Sequence, residues 1–175
     1  MIEADRQALL RIARDAIAAH VRGEPARVPD IVGRLSRPAG AFVTLHRDGA
    51  LRGCIGRLQP DHPVARAVAH CAVAACSRDP RFPAVTADEL HDIHIELSIL
   101  GPIEPVAHLD EIEVGRHGLI VERGCCRGLL LPQVAVEWQW DRKRFAEETC
   151  RKAGLPRDAW QAGAVMSKFE AEVFA

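Results

Sequence analysis

Apolar residues recur every three or four positions in three stretches of the chain, and each stretch predicts an amphipathic helix. The first helix is predicted over residues 4–22 and ends at the breaker segment Gly23-Glu24-Pro25. The second opens at Pro63, a residue favoured in a first helical turn, and carries a stripe of small apolar side chains. The third is capped by Asp141, runs to Lys152 and stops at Gly154.

Apolar and polar residues alternate in other stretches, which indicates strands. The Asp48-Gly49 pair predicts a tight hairpin turn between strands at residues 42–45 and 51–56. If this turn has two central residues, Val43 lies opposite Cys54, and Arg52, Cys54 and Gly56 share one face. Further strands are predicted at residues 89–100, at 118–122 and 128–131 around a second hairpin turn, and at 168–173.

Helices and strands intermix without the regular spacing of βαβ units, which predicts an α+β fold with a mostly antiparallel sheet flanked by helices. A chain of 175 residues is long enough for one domain with a proper core. We therefore expect residues 1–175 to form a single domain. The segment 24–40, rich in proline and glycine, is expected to be a loop.

Charge and composition exclude some functions. The net charge of -1 gives no global attraction to nucleic acid or membranes, and the apolar stretches are too short to span a bilayer. The charged amino terminus does not resemble a signal peptide, so we expect a cytoplasmic location in which the six cysteines are thiols. No cysteine or histidine spacing matches a zinc site, and no cofactor is predicted.

The segment from Leu51 to Gly56, LRGCIG in one-letter code, is the strongest candidate for a functional site. Two glycines weaken a strand and indicate close approach of another backbone or a ligand. Cys54 is a candidate nucleophile, and Arg52 on the same face could stabilise a thiolate or bind a substrate anion. Residue type alone favours the alternative, in which Cys54 is a small buried hydrophobic residue, and the surrounding motif leaves the choice between the two open.

Other side chains are weaker candidates. Arg81 lies in the proline-flanked loop DPRFP and suits either anion recognition or a structural ion pair. Glu96 could pair with Arg52 or Arg81, whereas His91 falls on the wrong face of the strand for a metal site with His94 and Glu96. His117 is a candidate base for Cys54, although a loop histidine that satisfies backbone groups is the favoured interpretation.

Several motifs in a fixed order resemble those of the AMMECR domain family, whose prokaryotic members are called protein A of the AmmeMemoRadiSam system. The matching segments are FVTL at 42–45, LRGCIG at 51–56, DPRFP at 79–83, IELSIL at 95–100, GRHGLI at 115–120, GLLLPQVA at 128–135 and CRKAGL at 150–155. The resemblance covers nearly the whole chain. Arg57 and Arg116 differ from the residues common in the family, where threonine and lysine are usual.

The resemblance implies a compact α+β domain with a larger and a smaller subdomain around the LRGCIG strand. It also implies a functional setting beside a Memo-like protein and a radical SAM protein, without an assigned reaction. The predicted substrate-binding residues are Arg52, Gly53, Gly56, Arg81, Glu96 and Gln133. Two functions remain open at this point: a thiol-dependent group-transfer or redox step at Cys54, and a non-catalytic module that docks a substrate or partner on this strand.

Overall fold

A computed structural model of the chain describes residues 1–25 and 33–175. It divides into two compact units, one of residues 1–100 with 172–175 and the other of residues 101–171. This division agrees with the larger and smaller subdomain expected from the resemblance. That the whole chain folds as one domain stays a prediction, and part of the predicted 24–40 loop lies outside the described residues.

The first unit packs two helices on an antiparallel sheet. Helix α1 spans Glu3–Val21, within one residue of the predicted bounds, and α2 spans Val64–Ser77, starting one residue after the predicted Pro63. The strands are β1 (Ala41–Arg47), β2 (Ala50–Arg57) and β3 (His94–Leu100), arranged β2-β1-β3 with β2 at the edge. The core joins the helical stripes to one face of the sheet, with Leu9, Ile17, Val43, Val68 and Leu97 fully buried.

The hairpin of β1 and β2 has the predicted two-residue turn but not the predicted register. Leu45 pairs with Gly53 while His46 pairs with Leu51, so Arg52 is an extra residue in β2. This β-bulge shifts all later pairs by one residue, and Cys54 therefore lies opposite Thr44 instead of Val43. The predicted register was wrong because the alternation of side chains assumes uninterrupted pairing.

The strand predicted at residues 89–100 begins later than expected, at His94. Residues 87–89 form a short 3-10 turn, which a capping box between Thr86 and Glu89 stabilises. The backbone N–H and the hydroxyl of Thr86 both donate to Glu89 Oε2. Glu89 is thereby held before the strand, where its carboxylate faces the arginines of the hairpin.

The second unit contains the other hairpin and two helices. Its elements are β4 (Glu104–Pro105), β5 (His117–Arg123), β6 (Cys126–Leu130), α3 (Pro132–Glu137), α4 (Arg142–Lys152) and most of β7 (Val165–Phe174). Strand β5 pairs with β6 on one side and β7 on the other, all antiparallel, and β4 pairs with β7. Phe145, Leu119 and Ile112 are at the centre of its core.

Local signals in the second unit account for most of these bounds. The Asp141 carboxylate accepts a hydrogen bond from the Arg144 backbone N–H, which caps α4 as predicted. The β5–β6 turn is shorter than expected, because Cys126 already lies in β6. Helix α3 was not predicted. Trp138 and Trp140 follow it as a stacked pair around Gln139, which has a φ of 53°.

Candidate functional site

The two glycines of the LRGCIG segment are explained by contacts within the protein. A Cβ on Gly53 would overlap the Ala75 carbonyl oxygen, so this glycine lets α2 lie close against β2. A Cβ on Gly56 would overlap the ring of Phe42, which lies directly opposite Gly56 on the neighbouring strand β1. The expected close approach is therefore real, and its partners are a helix backbone and an aromatic ring. Contact of Gly53 and Gly56 with a substrate stays a prediction.

The main chain of Cys54 is held at the edge of β2 by an ion pair in which the carboxylate is buried and the arginine is half exposed. The Cys54 N–H donates to Asp79 Oδ2 at 2.8 Å, and Arg81 Nη2 donates to the Cys54 carbonyl at 3.4 Å. Arg81 also grips both carboxylate oxygens of Asp79, through Nε at 2.9 Å and Nη2 at 2.6 Å. These two side chains occupy the hydrogen-bonding positions that a further strand would otherwise take.

Asp79 is the buried member of this pair, with a side chain only 2% exposed, whereas that of Arg81 is 54% exposed. The bonds from Arg81 and from the Cys54 N–H hold the pKa of Asp79 far below its usual range, against the opposing effect of burial. The carboxylate is therefore ionised at neutral pH. Arg81 forms the structural ion pair that the sequence left open, and a role in substrate binding stays a prediction.

The Cys54 thiol lies on the sheet face opposite α2 and is half-buried. Thr44 Oγ1 donates a hydrogen bond to Cys54 Sγ at 3.4 Å. Thr44 in turn lies opposite Glu96, so Cys54, Thr44 and Glu96 form one row across β2, β1 and β3. Side chains in such a row stand about 5 Å apart at their Cβ atoms. The bulge at Arg52 creates this row, because the unbulged register would place Val43 beside the thiol.

Arg52 has a structural partner of its own. Its Nε and Nη2 donate to the two oxygens of Glu89 at 2.9 and 3.0 Å. Its Nη1 also donates to the Pro83 carbonyl at 2.8 Å. Glu89 therefore replaces Glu96 as the partner of this arginine. These contacts fix the guanidinium to the loop after α2, and its predicted roles toward a thiolate or substrate anion stay predictions.

Glu89 accepts hydrogen bonds from a second arginine, Arg47, as well as from Arg52. Arg47 Nη1 donates to Glu89 Oε1 at 2.8 Å, and the Thr86 backbone N–H donates to Oε2 at 2.9 Å. The side-chain bond from Arg52 is the largest cause that lowers the pKa of Glu89, which falls to about 2. Together with Asp79, Glu89 ties the loop after α2 to the bulged strand at two points.

The remaining two predicted site residues belong to the second unit. His117 Nδ1 accepts a hydrogen bond from the Glu113 backbone N–H at 3.0 Å, and burial lowers the pKa of His117. This is the backbone-satisfying role favoured from the sequence, and action as a base on Cys54 stays a prediction. Gln133 lies in the first turn of α3, with its side-chain oxygen buried and unpaired among the residues that the structure describes.

Sequence reasoning missed the carboxylates that organise this site, Asp79 and Glu89, and the hydroxyl of Thr44. Asp79 opens the DPRFP loop two residues before Arg81, and this spacing was the available signal. Within residues 1–25 and 33–175 no cluster of histidine, cysteine, aspartate or glutamate has the arrangement of a metal site. No helix in those ranges is long and apolar enough to cross a membrane.

The fold and the site define an α+β protein in which a cysteine on an edge strand is held by an ion pair with a buried carboxylate. Comparison with known proteins agrees with the α+β fold. The AMMECR1 family model matches residues 10–174. A protein of Methanothermobacter thermautotrophicus is 46% identical over 175 residues, covering 95% of this chain and 91% of the relative. One of Pyrococcus furiosus is 46% identical over 179 residues, covering 95% and 85%.

A solved structure supports the same assignment. The crystal structure of an uncharacterised protein from Pyrococcus horikoshii superposes with a TM-score of 0.88 at 42% identity, covering 94% of this chain and 88% of that chain. The chain belongs to the AMMECR1 family. The predicted membership and the predicted α+β fold are therefore confirmed.

Proposed function

We propose that the protein performs a thiol-dependent group-transfer step at Cys54, in a setting with a Memo-like protein and a radical SAM protein. The observation that carries this proposal is the support given to one cysteine. The carboxylate of Asp79, with a side chain only 2% exposed, accepts from the Cys54 backbone N–H. The Cys54 thiol is half-buried and accepts a hydrogen bond from Thr44. The partner proteins come from the family resemblance.

The buried carboxylate distinguishes this cysteine from a packing residue. Taking a charge out of water is unfavourable by several kcal/mol unless geometry and hydrogen bonds offset it. Cys71, Cys76 and Cys150 are buried packing cysteines of the same chain, and burial raises the pKa of each. Cys54 differs from them because it is partly accessible and because both its backbone N–H and its backbone carbonyl form hydrogen bonds with side chains.

The proposed chemistry is nucleophilic. Cys54 gives its thiol proton to solvent, and Sγ as the thiolate attacks an electrophilic carbon of the substrate and forms an S–C bond. The bond from that carbon to the leaving group breaks, and the leaving group departs with the electron pair and takes up a proton from solvent. A nucleophile of the acceptor then attacks the same carbon, the S–C bond breaks and the thiolate is regenerated. The hydroxyl of Thr44 donates to the sulfur and stabilises its negative charge before attack. Asp79 and Arg81 are positioning residues in this scheme, since they touch the backbone of the nucleophile and not the sulfur.

Complementation tests the proposal in the protein's own pathway. A strain that lacks this protein receives the wild type, Cys54→Ser or Cys126→Ser, the last being a half-buried cysteine of the β5–β6 hairpin and the matched control. We expect Cys54→Ser to fail and Cys126→Ser to succeed at equal protein abundance. Full complementation by Cys54→Ser would contradict the thiol step.

A second candidate function, a binding module without catalysis, is favoured by one observation. Strand β2 is an edge strand, and although Asp79 and Arg81 occupy the edge groups of Cys54, the rest of this edge could accept a short extended segment of a partner by strand addition. In this case Cys54→Ser would still complement, and purified protein would form a complex with the Memo-like or radical SAM protein in size-exclusion chromatography. The absence of any complex with either protein would leave this candidate without support.

A further inference from the structure

The end of β2 beyond Cys54 borders an open pocket of about 590 Å³ within the first unit. Residues from β2, α2 and the end of α1 line it, among them Ile55, Gly56 and Arg57 of β2. Small-molecule sites commonly have volumes of about 300–1,000 Å³, so the size suits a small ligand. Thr44, which donates to the Cys54 sulfur, is not among the described residues that line this pocket.

Among the described residues, the polar side chains around this pocket are mainly basic. Arg57 and Arg78 line it together with His20 and His70, and Glu24 is the acidic side chain that the described part of the chain contributes. Arg57 uses Nη2 for Asp61 at 2.6 Å, but its Nε has no hydrogen-bond partner in the described part of the chain. Arg78 is exposed just after α2. The pocket therefore offers guanidinium donors to an anion.

The floor adds apolar surface and backbone donors. Ile55, Val73 and Ala74 are half-buried lining residues. In an antiparallel edge strand, alternate residues direct both N–H and C=O away from the paired strand. The bonds of Cys54 to Asp79 and Arg81 show that Cys54 is such a residue, so the N–H of Gly56, two positions on, also points to the free edge.

We propose that this pocket binds a small molecule that carries a phosphate or carboxylate group on an apolar body. The anionic group is held by Arg57 and Arg78, with the edge N–H of Gly56 as a further donor. The apolar body lies against Ile55, Val73 and Ala74. This site is separate from the thiol step, because it requires no reaction at Cys54.

Ligand titrations of the full chain followed by ¹H–¹⁵N NMR test this assignment. The probes are phenyl phosphate and benzoate, with inorganic phosphate and neutral benzyl alcohol as comparisons. We expect one of the two aromatic anions to shift the amides of Gly56 and Ala74 and to bind more tightly than inorganic phosphate. Benzyl alcohol should not shift these amides, since it has no charge for the arginines, and the tighter anion identifies the preferred group.

Arg78→Gln supplies the decisive variant and Arg66→Gln its control, because Arg66 is likewise an exposed arginine, within α2, but is not a lining residue of the pocket. Loss of a charge-assisted bond should weaken binding about tenfold in Arg78→Gln and leave it unchanged in Arg66→Gln. Equal weakening in both variants, or no shift with either aromatic anion at millimolar concentration, would overturn the proposal. Binding of inorganic phosphate as tight as phenyl phosphate would also contradict it, since the apolar floor would then play no part.

Discussion

Replacing Asp79 by asparagine removes the charge that holds both Arg81 and the Cys54 backbone. The wild-type carboxylate accepts from Arg81 Nε, Arg81 Nη2, the Arg81 backbone N–H and the Cys54 N–H, at 2.9, 2.6, 3.1 and 2.8 Å. Asparagine keeps the shape but has one acceptor oxygen and adds an NH₂ donor. It therefore loses part of this set and places donor against donor.

The expected loss follows from burial of the two partners. Breaking a fully buried ion pair destabilises a protein by about 3–5 kcal/mol, and a hydrogen bond to a charged group contributes about 1.5–3 kcal/mol. Asp79 is buried, but Arg81 is about half exposed and regains water once its partner is neutral. We therefore expect Asp79→Asn to lower the free energy of unfolding by about 2–3 kcal/mol at pH 7.

Urea unfolding followed by circular dichroism measures this loss, with Asp61→Asn as the control. Asp61 forms an exposed pair with Arg57 and should contribute less than about 1 kcal/mol. Because the pKa of Asp79 is lower in the folded protein, its contribution is fully present above the unfolded value of about 3.9 and disappears as the pH falls further. The difference between wild type and Asp79→Asn should therefore be constant from about pH 5 to 8 and shrink below about pH 4.

Hydrogen exchange supplies a local readout of the same contact. The Cys54 amide donates to Asp79, so it should exchange faster in Asp79→Asn than the global loss of stability explains. A stability within about 0.5 kcal/mol of wild type, together with unchanged exchange at Cys54, would refute the view that this ion pair holds the strand.

Three further predictions concern contacts that stabilise the two units: the close packing at Gly53, the ion pair of Arg52 and the helix cap at Asp141. Gly53→Ala should lower the free energy of unfolding by about 1–3 kcal/mol because its Cβ overlaps the backbone of α2, whereas Gly101→Ala, whose Cβ has room, should change it by less than about 0.5 kcal/mol in the same urea assay. Arg52→Gln should lower it by about 2–3 kcal/mol at pH 7, and this loss should fade between about pH 4.5 and pH 2 because the folded pKa of Glu89 is about 2. Asp141→Ala should remove the cap of α4 and lower the melting temperature, at a loss of about 1 kcal/mol in thermal unfolding.

Sequence patterns located the helices and most strands because their signals are local. The stripe of α1, the cap at Asp141 and the Asp48-Gly49 turn each depend on residues within a few positions of one another. The unpredicted helix α3 is only six residues long, too short for a periodic signal. The two tryptophans that follow this helix form a stacked pair, which the sequence did not predict.

The sequence predicted the strand around Cys54 as the candidate site, but it did not predict the side chains that hold this strand in place. Two glycines around Cys54 correctly indicated close packing on the strand. The bulge at Arg52 left no local signal, and it decides that Thr44 is the neighbour of the thiol. Asp79 and Glu89 meet the strand through tertiary contacts across 25 and 37 residues, which spacing rules do not reach.

The most direct test of the central claim is alkylation of the native protein by iodoacetamide, with each cysteine followed by peptide mass spectrometry. Exposed Cys125 and the buried cysteines 71, 76 and 150 serve as internal references. If Cys54 is a supported, reactive thiol, it is labelled at least as fast as Cys125, and Thr44→Val slows this labelling several-fold. If Cys54 is labelled only when the protein unfolds, together with the buried cysteines, it is a packing residue and the proposed thiol step is wrong.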